Sequence, residues 1–256
     1  MIDAHCHIDF ARFDADRAQV LAAARAVGVA RFLCAGVRPE DWQRQALVAT
    51  QHEGVDAFYG IHPHVAAQLP DTQASAALER LAALPTMAIG ETGLDGSKYV
   101  PRGSLERQSA VFRAQLAIAR DRNLPVVLHI LQAHGASLEI LKQDGLPEAG
   151  GMVHSYSGSA ELIRDYERLG LHVSFSASVT RKGARRVLAA VAAVSSDRLL
   201  VETDCPDQLP TGVVGSRNLP EYLPLVVQAV ASAREETPEL IATQTAANAR
   251  RLFDLK

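Results

Sequence analysis

The chain has 256 residues, 48% hydrophobic and 21% charged, with a formal net charge of −3. That length suits one large domain with a single core, and the near-neutral charge disfavours a general duplex-DNA binder while leaving room for a local basic patch. No apolar run reaches the ~18 residues that a membrane helix needs, and Met1-Ile2-Asp3-Ala4-His5 has neither a basic n-region nor a signal h-region, so a cytoplasmic protein is expected.

Short apolar runs alternate with longer stretches of helical period, eight times in succession. Strands are expected to begin near Ile2, Arg31, Val55, Thr86, Pro125, Gly151, Leu171 and Arg198. Helices are expected to follow near Asp14, Pro39, Asp71, Ser104, Gln132, Ser159, Gly183 and Asn218, and a further C-terminal helix is signalled by Thr237-Pro238-Glu239 as N-cap, N1 and first-turn acid. Apolar stripes recur at spacings of three, four and seven in Leu105, Phe112, Leu116 and Ala119, and in Leu223, Val226, Val227 and Val230. Strands alternating with helices imply parallel pairing, and eight such units in about 250 residues imply closure into a barrel rather than an open sheet. No Gly-x-Gly-x-x-Gly follows the first strand, which weakens the doubly wound dinucleotide-binding alternative. The expectation is an α/β chain: a single (β/α)8 TIM-barrel domain over residues 1–256 with an extra C-terminal helix.

The chemistry-bearing residues fall at the C-terminal ends of these strands, where barrels build their active sites. His5 and His7 close the first strand, and the period of two turns both to one face and Cys6 to the other. His62 ends the third strand, Glu91 the fourth, His129 the fifth, His154 the sixth and Asp204 the eighth. A lone histidine or carboxylate at such a place is most often a rim or turn residue; leaving His62 aside, four histidines and two carboxylates at the same end of five strands point to metal. A single catalytic zinc takes about three protein ligands, so this set implies one or two ions, a pair lying ~3.5–4 Å apart and sharing a carboxylate. Glu91 is the natural bridge, with His5, His7 and Asp204 holding one ion and His129 and His154 the other. Mixed imidazole and carboxylate ligation suits Zn²⁺, Mn²⁺ or Ni²⁺, with Mg²⁺ able to act in turnover. Such ions make hydroxide available from bound water near neutral pH, and Asp204 is placed to shuttle its proton. His62 is read as a spare catalytic imidazole, and Asp3 and Glu202 as carboxylates that orient the ligand histidines.

The same segments carry a resemblance to a known family. Asp3-Ala4-His5-Cys6-His7, Gly60-Ile61-His62-Pro63-His64, Gly90-Glu91-Thr92-Gly93-Leu94-Asp95, Pro125 to His129, His154-Ser155-Tyr156-Ser157-Gly158-Ser159, Glu202-Thr203-Asp204-Cys205-Pro206 and Asn248 to Phe253 occur in the family's order. Over its whole length the chain resembles the TatD metal-dependent deoxyribonucleases of the amidohydrolase superfamily. The resemblance implies a (β/α)8 barrel, one or two divalent metals and phosphodiester hydrolysis at DNA ends, with the metal positions carried over to His5, His7, Glu91, His129, His154 and Asp204. Where the family often has Ser-Arg-Asp/Glu-Ala after the fifth-strand histidine, this chain has Ile130-Leu131-Gln132-Ala133.

Arg181 and Lys182 follow the seventh strand, where barrel loops often hold phosphate. Arg217 in the eighth loop is expected to join them, with Lys98 and Arg102 as further candidates and Tyr99 or Tyr156 to stack a base. His52, His64 and His172 are read as structural or surface residues, His134 as similar though near the mouth, and Cys6, Cys34 and Cys205 as small residues outside any disulfide framework. The expected substrate is DNA or a small phosphodiester, with no membrane association and no obligatory protein partner. The rival readings are a two-metal hydrolase of a carboxylic ester, lactone or amide, and a non-catalytic binding barrel.

Overall fold

A computed structural model describes residues 1–256. Its strands are β1 (Ile2–Cys6), β2 (Arg31–Ala35), β3 (Val55–Phe58), β4 (Ile89–Asp95), β5 (Val126–Leu131), β6 (Gly151–Val153), β7 (Leu171–Phe175) and β8 (Leu199–Val201). Its helices are α1 (Arg17–Ala26), α2 (Trp42–Gln51), α3 (Pro63–Ala66), α4 (Asp71–Ala83), α5 (Leu105–Arg122), α6 (His134–Asp144), α7 (Ala160–Arg168), α8 (Arg185–Ala193), α9 (Leu223–Arg234) and α10 (Pro238–Phe253). All pairings are parallel, in the orders β1-β2-β3 and β4-β5-β6-β7-β8.

Main-chain bonds join the two sheets at both seams. Between β3 and β4, Tyr59 bridges to Ile89 and the Gly90 N–H donates to the Tyr59 carbonyl at 2.9 Å. Beyond β8, the Asp204 N–H donates to the His5 carbonyl at 3.0 Å and the His7 N–H to the Cys205 carbonyl at 2.8 Å. The eight strands therefore close into a barrel, and the closing bonds on the β1 side involve the residues flanking the strand-end motifs.

Two strands break the two-residue period. Asp3 pairs with Phe32 and Cys6 with Cys34, so three steps along β1 match two along β2. Likewise Ile89 pairs with Val126 and Thr92 with Leu128. Each irregularity adds one residue and flips the facing of what lies before it relative to what lies after it. In β1, Ile2 and Ala4 face the barrel interior below the step, and His5 and His7 face it above. In β4, Glu91, Gly93 and Asp95 are left on the inner face, while Thr92 and Leu94 take the outward register of Leu128 and Ile130.

The interior is divided along its axis. Its lower half is an apolar cluster of Ile2, Ala4, Leu33, Ala35, Phe58, Ala88, Val127, Met152 and Leu200. Helix α10 closes that end with Ala246, Ala249, Leu252 and Phe253, and the Phe253 ring stacks at 6.2 Å from Phe58. Each large side chain buried there contributes roughly 1.5–3 kcal/mol. The upper half is polar and opens at the strand C-termini. A second apolar layer lies between the strands and the outer helices.

The expected stripes are buried, apart from Leu105, which is 41% exposed at the first turn of α5. Helix starts differ by two to five residues where turns intervene: α6 begins at His134 after Gln132 adopts φ 53°, and α9 begins at Leu223 after a 3-10 turn at Pro220–Tyr222. The short α3 was not foreseen. Thr237 caps α10 as expected, its hydroxyl accepting from the Leu240 N–H at 3.2 Å.

His172 faces inward from β7 with only 3% of its surface exposed, and neither ring nitrogen has a partner. Burial, reinforced by Arg198 and Arg251, pushes its imidazole down to about 4. An unfolded histidine binds its proton near ~6.5. Between those values the unfolded chain therefore holds more protons, and stability falls as pH falls. His172→Leu should lose less stability than wild type between about pH 7 and about pH 4.5, read by urea unfolding. Equal losses would show that His172 does not contribute to acid sensitivity.

Candidate metal centre

Glu91 sits at the centre of the mouth, 2% exposed. Its two oxygens face different groups. Oε2 lies 3.3 Å from His5 Nε2 and 3.5 Å from His7 Nε2. Oε1 lies 2.8 Å from His129 Nδ1, 2.8 Å from His154 Nε2 and 3.1 Å from His62 Nε2. Asp204 joins the first group, with Oδ1 3.4 Å from His7 Nε2 and 3.7 Å from His5 Nε2. Burial opposes ionisation of Glu91, yet His62, His154 and His5 hold its carboxyl well below the usual range. Asp204 is likewise held low against burial, by the His7 hydrogen bond and by His154 and His5.

The support of each imidazole decides what its inner nitrogen can do. His7 Nδ1 lies 3.1 Å from the Ala35 carbonyl, so that nitrogen carries the proton and Nε2 presents a lone pair. His154 Nδ1 lies 3.2 Å from Glu202 Oε1, and His129 Nε2 lies 3.3 Å from Asp95 Oδ2, with the same consequence. His62 is the reverse. It is the N-cap of α3, and its Nδ1 accepts from the His64 N–H at 3.0 Å. Its proton must then sit on Nε2, which makes it a donor toward Glu91 rather than a ligand. His5 is fully buried, stacked at 3.9 Å on His154, with no hydrogen bond to either ring nitrogen.

These donors fit divalent transition ions. A buried imidazole with no partner is costly, and His5 Nε2 belongs to two convergent sets, His5-His7-Asp204 and His5-Glu91-His154. Burial opposes a charged His7, but Asp204 and Glu91 raise it to about 9. Ions and protons thus compete for the same lone pairs.

Beside this cluster opens a cavity of about 1010 Å³. Its lining includes His129, His154 and Asp204 from the cluster together with Arg181, Lys182 and Arg186. Tyr99, 72% exposed, stands at its rim with the Lys98 Nζ 5.4 Å from its ring.

Three expectations are corrected. Asp3 touches no ligand ring. The step in β1 turns it outward, where its Oδ1 accepts from the Thr203 N–H at 2.8 Å and its Oδ2 from the Thr203 hydroxyl, tying β1 to the end of β8. Arg217 does not line the cavity; it bonds the Arg12 carbonyl and Asp16 and lies over the Phe13 ring at 4.6 Å. Tyr156 borders the cavity but is 0% exposed, packed edge-on to Tyr166 and donating to the Ser159 carbonyl at 2.7 Å, so no ring face is free for a base.

Three further side chains, His64, Asp95 and Gln208, belong to the site though no strand-end motif marks them as such. His64 is no bystander: its Nε2 lies 2.6 Å from Asp95 Oδ2. Asp95 supports His129 and is 1% exposed. Its place was readable, since Glu91, Gly93 and Asp95 alternate on one face. The glycine between them is required by φ 138° and by the closeness of the His129 carbonyl to any Cβ there. Gln208 is the third, and it donates to Asp204 Oδ2 at 2.5 Å.

Lone pairs gathered around one buried carboxylate at a barrel mouth make this chain a metal-dependent hydrolase. It belongs to the TatD related DNase family, which matches residues 2–254. It is 34% identical over 253 residues to the uncharacterized metal-dependent hydrolase YabD of Bacillus subtilis (strain 168), spanning 99% of this chain and 98% of that protein. It is also 34% identical over 263 residues to the 3'-5' ssDNA/RNA exonuclease TatD of Rahnella sp. (strain Y9602), spanning 100% and 98%. The structure of YjjV, a TatD homolog from Escherichia coli K12, superposes with a TM-score of 0.92 at 29% identity, covering 100% of this chain and 98% of that one.

The opposite tautomers of His129 and His62 set two variants apart. Asp95→Asn should weaken ion binding by ~10–100-fold, because His129 loses its orienting carboxylate. His62→Ala should keep near-normal ion content while impairing turnover. Elemental analysis and activity on the same preparations check both, and an emptied site in His62→Ala would contradict the donor assignment.

Proposed function

We propose that the protein is a nuclease that removes nucleotides from the ends of single-stranded DNA or RNA by hydrolysing phosphodiester bonds, with residues 1–256 acting as one catalytic domain. The observation that carries the reading is the presence of Arg181, Lys182 and Arg186 on the lining of the same cavity that reaches His129, His154 and Asp204 of the Glu91 cluster. A neutral carboxylic ester or lactone gains little from three cations on the cavity lining, and a non-catalytic barrel gains nothing from the convergent lone pairs. The 3'-5' exonuclease relatives support the same reading.

His5, His7 and Asp204 would hold one ion, His129 and His154 a second, and Glu91 both. Zn²⁺, Mn²⁺ or Ni²⁺ suits these donors. Bound there, such ions supply Lewis acidity and an acidified water. The protein does the rest. Arg181, Lys182 and Arg186 offset the charge of the phosphates and hold the strand against the mouth. Tyr99 gives a terminal base a ring to stack on, worth roughly 1–3 kcal/mol. Asp204, on the cavity lining beside the ion position it helps to form, would relay the proton of the bound water, and His62 Nε2–H steadies the shared Glu91 carboxylate at 3.1 Å. Glu202 and Asp95 keep His154 and His129 turned inward.

The test is turnover of 3'-labelled and 5'-labelled single strands, an aryl phosphate and a lactone panel, with Mn²⁺ or Mg²⁺ added. The expected result is stepwise shortening of the nucleic acids, abolished by chelation and restored by metal. A combined Arg181→Ala, Lys182→Ala variant should raise KM for the strands about 10-fold or more while sparing a small aryl phosphate. Lactone or ester hydrolysis without nucleic-acid cleavage would overturn the proposal.

A further inference from the structure

Three polar side chains from separate loops form a closed ring beside Asp204. Gln208 Nε2 lies 2.6 Å from Ser155 Oγ, Ser155 Oγ lies 2.9 Å from Ser176 Oγ, and Ser176 Oγ lies 2.7 Å from Gln208 Oε1. The direction of every bond follows from Asp204. Its carboxylate only accepts, so the atom of Gln208 facing Oδ2 at 2.5 Å must be the amide nitrogen. The second amide hydrogen then goes to Ser155, the Ser155 hydroxyl donates to Ser176, and the Ser176 hydroxyl returns to the Gln208 carbonyl. No other arrangement satisfies all four contacts. The ring is also anchored to the opposite ligand group: the Ser155 N–H donates to Glu202 Oε1 at 2.7 Å, and the same oxygen lies 3.2 Å from His154 Nδ1.

The backbone is bent to make this ring. Ser155, Asp204 and Gln208 all have positive φ, at 42°, 57° and 55°. Residues other than glycine hold such conformations only where the surroundings over-determine them, and such places cluster at functional sites. Ser176 is fully buried, so the ring is an inner support of the mouth rather than a surface contact.

We propose that Gln208, held by Ser155 and Ser176, is a positioning residue for Asp204: it occupies Oδ2 and leaves Oδ1 as the one carboxylate oxygen offered to the His5 and His7 side. Asp204 then binds through one oxygen in a fixed orientation, and Oδ2 stays engaged while substrate enters the cavity that Gln208 also lines. The inference rests on the metal reading of the site and names a residue the sequence motifs do not.

The experiment is Mn²⁺ titration by calorimetry of the wild-type chain and of Gln208→Leu, Gln208→Glu and Ser176→Ala, followed by kcat and KM on a single-stranded oligonucleotide. Gln208→Leu should weaken Mn²⁺ binding by ~10–100-fold and lower kcat more than it changes KM. Gln208→Glu, though nearest in shape, should be worse than Leu, because an acceptor then faces Asp204 Oδ2. Ser176→Ala should fall between wild type and Leu. A role in packing alone orders them the other way, with Glu closest to wild type. Wild-type affinity in both Gln208 variants, or Glu behaving like wild type, overturns the positioning role alone. A wild-type chain that takes up no Mn²⁺ would remove the metal reading and this inference with it.

Discussion

One buried carboxylate organises the mouth of this barrel. Glu91 has five imidazole nitrogens within 3.5 Å of its two oxygens, two on the Oε2 side and three on the Oε1 side. An isolated charge in that position would be strongly destabilising. It is tolerated because every neighbour is an imidazole that can donate a proton toward it or share an ion with it, so carboxylate and imidazoles are mutually dependent. The supports continue outward: Ala35 for His7, Glu202 for His154, Asp95 for His129 and Gln208 for Asp204. Each turns a lone pair inward by occupying the other end of its side chain.

The fold meets this demand by separating functions along the barrel axis. The lower interior is mainly apolar, His172 being its buried polar member, and is sealed by α10, so stability is concentrated away from the mouth. The upper interior is free to carry polar groups that contribute little to packing. The extra residue in β1 and in β4 makes the change of character abrupt. Below the step in β1, Ile2 and Ala4 fill the plug; above it, His5 and His7 face the opening. Regular strands would have carried a single facing pattern from one end to the other.

That step also marks the limit of what could be read from the residues. The alternation of strands and helices, the barrel and the convergence of His5, His7, Glu91, His129, His154 and Asp204 follow from local periods and strand ends, which are properties of neighbouring residues. Asp3 was misplaced because a two-residue period cannot reveal an inserted residue whose evidence lies in the partner strand. Arg217 and Tyr156 were misread for another reason: a cation or ring in a loop has the same local signature whether it meets solvent, a substrate or the protein itself. The opposite roles of His62 and His129 rest on which ring nitrogen is already engaged. That is set by the Pro63 turn and by Asp95, and is settled only in three dimensions. Gln208 lay four residues past Asp204 in a loop with no periodicity to flag it.

Glu91, as the shared support of two ion positions, is the residue on which the site turns. The decisive measurement is ion stoichiometry by elemental analysis of wild type and Glu91→Gln after equilibration with Zn²⁺, alongside far-UV circular dichroism. The wild-type chain should hold about two ions and the variant about one or fewer, because two dications would face each other without the carboxylate between them. The circular dichroism should be unchanged, since the apolar plug below is untouched. A Glu91→Gln chain that still holds as many ions as wild type would contradict the account.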